Sequence, residues 1–203
     1  MINTPWNYDI LADTLPEILT TAEFNAMTAN KYANDSRLSS MLQSVTATVR
    51  NYVHWHLASN VECSVTYTFD DLHITRTHHD LLVQLPSRCV TAVNKILIDG
   101  HEISCRKFAK QNGTLKIYNV GCYDHFFTIE IRFNSGLTDT TGVKAVIASR
   151  VSNALSGNIG ISSETAGGVS ISYSSAYVAG INPSTLLTAD REFLNSYRIE
   201  EML

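Results

Sequence analysis

Apolar residues recur along this chain with two different periods. Leu38, Leu42, Val45, Val49, Tyr52 and His56 follow one another at spacings of 4, 3, 4, 3 and 4 residues, which places them on one stripe of a helix. Ser39, Gln43, Thr46 and Arg50 fall on the opposite side. An amphipathic helix of about five turns is predicted. Upstream, Thr20 with Glu23 three positions on forms a capping box for a short helix carrying Phe24 and Met27 on one face. Asn34-Asp35-Ser36 ends that helix, and Asp35 is the expected N-cap of the long one. The first helical part spans roughly residues 20–58.

Over roughly residues 61–135 the period changes to two. Val61 to Phe69 alternates apolar and polar, as a half-buried strand does. Leu81 to Leu85 and Val90 to Ile98 read as further strands, and Phe126 to Phe133 alternates again. Asp99-Gly100 and Asn112-Gly113 are hairpin signals, because both dipeptides tolerate positive φ. Five or six short antiparallel strands suit a small sandwich or open barrel.

Helical spacing returns at Gly142, with Val143, Val146, Ile147, Val151, Ala154 and Leu155 on one face and Ser156-Gly157 as the stop. From Val151 to Ala189 the only charged residue is Glu164. Within that stretch, residues 162–173 are rich in Ser and Gly yet alternate like a strand, with Gly167-Gly168 suited to a hairpin tip or a flexible loop. A last helix is expected over Ala189 to Ile199, with Phe193, Leu194 and Tyr197 apolar.

The order is helix, helix, β block, helix, loop, helix. The helical stripes before and after the β block each need a partner, and pairing them satisfies both. The expected fold is α+β: a small antiparallel helix bundle with an inserted antiparallel β domain (sandwich or open barrel) and a Ser/Gly-rich hairpin loop. The expected divisions are an N-terminal arm over 1–18, a helical core over 19–60 and 137–203, and an inserted β domain over 61–136.

Composition narrows the function. The 203 residues are 44% hydrophobic but only 17% charged, with 15 basic against 19 acidic side chains and a net charge of −4. Bulk attraction to phosphate needs a basic surface, so a dedicated DNA-binding domain is disfavoured. Arg106, Lys107, Lys110 and Lys116 do cluster, with Phe108 and Tyr118 interleaved, but Asp99, Glu102 and Asp124 flank them. A charged sheet edge accounts for the cluster better than a nucleic-acid strip. No apolar run reaches membrane-spanning length. Met1 to Trp6 lacks the basic start and apolar block of a signal peptide, so a non-secreted chain with reduced thiols is expected. Cys63, Cys89, Cys105 and Cys122 are well separated and include no C-x-x-C pair.

Catalytic chemistry has little support. The chain has no G-x-S-x-G, no H-E-x-x-H and no Walker loop. His54 and His56 form H-x-H, but positions i and i+2 point about 200° apart on a helix and cannot share one ion. His78-His79 reads as a polar loop, and no ligand spacing joins these histidines to Cys89 or Cys105. Asp70-Asp71 reads as a turn and Glu200-Glu201 as a solvated tail. No catalytic residue, cofactor or metal is therefore expected. Two other classes are carried. One is a binding module whose β block takes carbohydrate or another ligand through Tyr67, Tyr118 and Tyr123. The other is a small enzyme with a scattered site around His79, Asp80 and Cys89.

The ordered pieces resemble the head–tail connector (adaptor, or head completion) proteins of long-tailed bacteriophages. The pieces are Thr20 to Phe24, Leu38 to Tyr52, the β block, the strand-Gly turn from Ile131 to Gly136 leading to Lys144, the stretch Ser163 to Tyr173, and Leu194-Asn195-Ser196-Tyr197-Arg198. The likeness covers about residues 19–199; residues 1–18 depart from it. It implies a non-enzymatic virion protein, assembled in the host cytoplasm and placed in the neck. Its copies would form a homo-oligomeric ring, commonly of twelve, under the portal protein. That ring would extend the channel and dock the tail or the next connector, and genome DNA would pass without specific binding and with no membrane involved. The expected subunit and portal contacts are Gly167, Gly168, Ile171 and Tyr173 as an intersubunit hairpin, and Leu194, Tyr197 and Arg198 at the C-terminal end.

Overall fold

The computed structural model describes residues 2–3, 8–68, 74–76, 80–103, 107–108, 113–118, 128–156, 163–166, 169–172 and 186–199. The chain divides into two compact units, each built from separate stretches. One comprises Met1–Glu17, Val53–Thr140 and Tyr197–Leu203; the other comprises Ile18–Tyr52 and Thr141–Ser196.

The first unit is a β structure. Its strands are β1 (Ile2–Asn3), β2 (Asp9–Ile10), β3 (Val61–Thr68), β4 (Ile74–Arg76), β5 (Leu81–Gln84), β6 (Val90–Ile98), β7 (His101–Glu102), β8 (Lys107–Phe108), β9 (Thr114–Ile117) and β10 (Thr128–Ser135). They form a sheet in the order β1-β2-β3-β10-β6-β7 and a second in the order β4-β5-β9-β8, with antiparallel neighbours throughout. Val61, Cys63, Val65 and Tyr67 of β3 and Ile129, Ile131, Phe133 and Ser135 of β10 share a buried face. The second sheet buries Leu81, Val83, Leu115 and Ile117. Tyr67 joins the sheets by donating its hydroxyl to the Gln84 carbonyl at 2.6 Å.

β6 breaks the simple alternation. Its register against β10 shifts between Arg132 and Phe133 and again between Asn134 and Ser135. Each irregularity adds a β6 residue with no partner and turns the following side chains over. Val93 is consequently only half-buried, while Asn94 donates to both Glu62 Oε1 (2.9 Å) and Asn134 Oδ1 (2.8 Å).

A helix bundle carrying an inserted β domain is not what the chain forms. The architecture is mixed, with antiparallel sheets too extensive to count as an insertion. The N-terminal residues, which have no readable period, supply β1 and β2 and so extend the large sheet. Two-residue strands have no room to display alternation, which is why the pattern missed them.

The long helix also ends sooner than its stripe implied. Called α2 after the shorter α1 (Thr21–Met27), it spans Leu38–Val53. His54 then takes a left-handed conformation (φ 63°), which stops the helix without a glycine. His56 is therefore not on the helix at all. It is fully buried in the β unit, with Nε2 at 2.6 Å from Ser135 Oγ and its backbone N–H donated to the Tyr8 hydroxyl at 3.1 Å. Trp55, Leu57 and Ala58 are buried beside it. Ser135 Oγ also lies 3.8 Å from Cys63 Sγ. Burial pushes the Cys63 thiol up to about 12, outweighing the opposing effect of that Ser135 contact. The group is inert at neutral pH, and its role is packing.

The second unit holds α1, α2, α3 (Thr141–Leu155), a hairpin of β11 (Ser163–Ala166) and β12 (Val169–Ser172), and α4 (Thr188–Asn195). The capping box forms as expected: Thr20 Oγ1 accepts from the Glu23 N–H at 3.2 Å, and Glu23 Oε2 accepts from the Thr20 N–H at 3.0 Å. The buried stripe of α2 is Leu38, Leu42, Val45, Val49 and Val53, with Thr46 buried and Tyr52 half-buried. Among the described residues, no helix is long and apolar enough to cross a membrane.

Gly136 follows β10 at φ +145°, and a Cβ there would run into the backbone of Ala58 and Asn60. Gly136→Ala is expected to cost more than about 2 kcal/mol in a denaturant titration. An unchanged midpoint would contradict this packing.

Candidate assembly surface

α4 is short, so its position depends on side chains. Leu194 is fully buried. Asn195 Oδ1 accepts the Tyr52 hydroxyl of α2 at 2.7 Å. Phe193 lies against Gly142 at the start of α3, where an added Cβ would collide with its ring at 2.5 Å. Asp190 completes the seat. One of its oxygens accepts the Leu187 N–H at 2.9 Å, and the same oxygen lies 3.2 Å from Arg150 Nε of α3. The Arg150 N–H is not aimed at that oxygen, so the contact is an ion pair and not an aligned hydrogen bond. Both side chains are nearly buried, at 12% and 11% exposure. Arg150 and Asp190 are the residues that bracket the nearly uncharged stretch 151–189. The pair thus clamps together the two ends of that stretch.

The C-terminal end of α3 is capped by the turn before α2. Tyr32 donates its hydroxyl to the Ser152 carbonyl at 3.3 Å, and Arg37 donates to the Leu155 carbonyl at 3.1 Å. A cation there also suits the negative end of the helix dipole. Asp35 holds Arg37 in place by two hydrogen bonds of 3.0 and 2.7 Å, and it accepts the Arg37 N–H at 2.9 Å. These bonds hold the Asp35 carboxyl down at about 2. At the other end of α3, Lys144 pairs with Glu23 of α1, which lowers the Glu23 carboxyl below its ordinary range.

Between these clamped ends lies the β11–β12 hairpin. Ser163 pairs with Ser172, Glu164 with Ile171, Thr165 with Ser170 and Ala166 with Val169. This antiparallel register puts positions 163, 165, 170 and 172 on one face, all of them Ser or Thr. Positions 164, 166, 169 and 171 share the other face: one acid and three apolar residues. Two strands alone are marginal in water, and a third element is ordinarily needed to cover the apolar side.

Of the expected contact residues, Ile171 is a β12 position opposite Glu164. Gly167, Gly168 and Tyr173 lie outside the described residues. Leu194 is fully buried in the single chain. Tyr197 and Arg198 belong to the β unit. There the Tyr197 carbonyl accepts Trp55 Nε1–H at 2.7 Å, and the Ile199 N–H donates to the Val53 carbonyl at 3.0 Å. Tyr197 is half-buried and Arg198 exposed. Sequence reasoning missed Arg150 and Asp190. The signal available for them was their place at the borders of the neutral stretch. Among the described residues the large exposed apolar side chains are Met27, Leu187 and Phe193, all in the helical unit.

The other chemistries gain nothing here. Tyr67 is buried and bonded, Tyr118 is half-buried with Lys116 over its ring at 4.7 Å, and Tyr123 lies outside the described residues. Asp80 pairs with Lys116 at 3.0 Å, and His78 and His79 lie outside the described residues. Among the described residues no three His, Cys, Asp or Glu side chains gather as metal ligands would. No family model matches the chain, and no curated protein matches it.

Asp190→Ala is expected to cost about 3 kcal/mol, because it strands a nearly buried guanidinium and frees the Leu187 N–H. Arg150→Met combined with Asp190→Leu should cost clearly less than the two single changes added together. Strict additivity in a double-mutant denaturation cycle would rule out the clamp.

Proposed function

We propose that this chain is a virion structural protein: a head-to-tail adaptor whose copies form a ring under the portal, extend the DNA channel and dock the tail or the next connector. It acts by shape and carries no catalysis. The observation that carries this reading is the β11–β12 hairpin, an amphipathic two-stranded element inside a nearly uncharged stretch whose ends are clamped by Arg150 and Asp190.

A closed ring needs heterologous contacts, in which one surface of each copy meets a different surface of the next. The hairpin's apolar positions supply one such surface. Hydroxyl-rich, nearly uncharged chain suits it, because burying unpaired charge between subunits is costly whereas Ser and Thr hydrogen-bond readily. The exposed Met27, Leu187 and Phe193 offer apolar area on the same unit. A net charge of −4 also agrees with a channel through which DNA slides without being gripped. The likeness to phage connectors in element order supplies the virion setting, with the portal above and the tail or a further connector below.

The test is electron microscopy of the full chain, alone and with portal protein present. Closed rings are expected for the natural sequence. Tyr173→Ala should prevent their formation while leaving the circular dichroism spectrum of the folded subunit unchanged. A strict monomer with portal present would contradict the reading, and normal rings from the Tyr173 variant would remove the hairpin from the interface.

A further inference from the structure

We infer that the large sheet carries a saccharide-binding patch on the face opposite its buried one, built by Asn60, Glu62, Asn94 and Asn134. The patch belongs to the β unit alone and does not depend on ring formation. Its origin is the pair of irregularities in β6. Lys95 opposes Arg132 and Val93 opposes Phe133, so Asn94 is the extra residue of the first. Ala92 opposes Asn134 and Val90 opposes Ser135, so Thr91 is the extra residue of the second. Both extra residues reach the same neighbour. Asn94 Nδ2 donates to Asn134 Oδ1 at 2.8 Å, and the Thr91 hydroxyl donates to the Asn134 carbonyl at 3.1 Å. Bulges re-aim side chains beside binding sites, and here two of them in one strand aim polar groups at a single asparagine.

The network continues across the sheet. Asn94 Nδ2 also donates to Glu62 Oε1 of β3 at 2.9 Å, and Asn134 Nδ2 donates to Asn60 Oδ1 at 3.2 Å. Asn60 sits just before β3 in a left-handed conformation (φ 51°). One carboxylate and three carboxamides are thus locked to one another, yet Asn60, Glu62 and Asn94 are exposed and Asn134 is half-buried. Solvated side chains ordinarily rotate freely, and ordering them costs entropy. Here they are ordered in advance on a rigid sheet, which lowers the cost of binding. The groups also keep hydrogen-bonding capacity. Among the described residues, no hydrogen bond is made to Glu62 Oε2 or Asn94 Oδ1, and none is donated by Asn60 Nδ2. Open acceptors beside an open donor suit hydroxyls, each of which both donates and accepts. The adjacent cations do not select an anion, because Lys95 pairs with Glu102 at 3.5 Å and Arg132 with Glu130 at 2.9 Å. Glu62 itself adds negative charge. The ligand that fits is neutral and polyhydroxylated: a saccharide, free or within a polysaccharide. A shallow polar patch binds it weakly, in the millimolar range.

The patch is tested by two-dimensional NMR of the full chain, read at the side-chain amide signals of Asn60, Asn94 and Asn134. The probes are glucose, galactose, mannose and N-acetylglucosamine, each with its short linear oligomers, and glycerol is the control polyol. At least one sugar is expected to shift all three signals saturably, with no such response to glycerol. An oligomer that binds more tightly than its monomer marks a polysaccharide as the source, and equal binding marks the free sugar. Asn94→Ala and Glu62→Ala change exposed side chains, so the rest of the spectrum should stay in place while each raises the Kd by about tenfold or more. No saturable shift with any sugar, an equal response to glycerol, or unaltered affinity in either variant would overturn the patch. None of these results bears on whether the chain forms rings.

Discussion

The ion pair between Arg150 and Asp190 sets the terms for the helical unit. α4 has eight residues, too few to hold its place by its own hydrogen bonds. It stays because Leu194 is buried, because Tyr52 reaches Asn195, and because a nearly buried guanidinium is held 3.2 Å from the Asp190 carboxylate. The same pair fixes where the neutral stretch leaves α3 and where it returns. The hairpin can then be nearly uncharged and marginal by itself without loosening the helices that carry it. Under the ring reading proposed above, this gives a firm base to an element that is completed on assembly.

The β unit is held together differently. Its core is closed by the linker Val53 to Ala58, which leaves α2 through a left-handed His54 and then buries Trp55, His56, Leu57 and Ala58 in succession. Trp55 anchors the C-terminal turn through the Tyr197 carbonyl, and His56 is fixed by Ser135 and Tyr8. The His56 contacts are buried and help specify one packing arrangement of this unit.

Much of the element order was legible because long elements declare their period. β3, β5 and β6 and helix α3 fall within a residue or two of the expected bounds, whereas α1 ends at Met27, well before the Asn34-Asp35-Ser36 break expected to end it. The architecture was not legible, and three local features explain why. β1 and β2 are two residues each and carry no alternation, so their addition to the large sheet left no trace in the pattern. His54 ends α2 by backbone conformation alone, so the stripe ran on falsely to His56. The irregularities of β6 against β10 turn side chains over in a way that identity at one position does not reveal. At the candidate surface, the neutral stretch and its hairpin were visible as composition and alternation. The Arg150–Asp190 clamp was not, because its members are far apart in sequence and meet only through packing.

The account turns on the claim that the hairpin is completed by another copy. Amide hydrogen exchange over residues 163–172 addresses it directly, compared between dilute monomer and assembled protein. A two-stranded element without cover should exchange quickly in the monomer, and the same amides should become strongly protected in the assembly while the core of α2 stays protected in both. Equal exchange of the hairpin in the two states would mean that no neighbour covers it, and the assembly mechanism described here would be wrong.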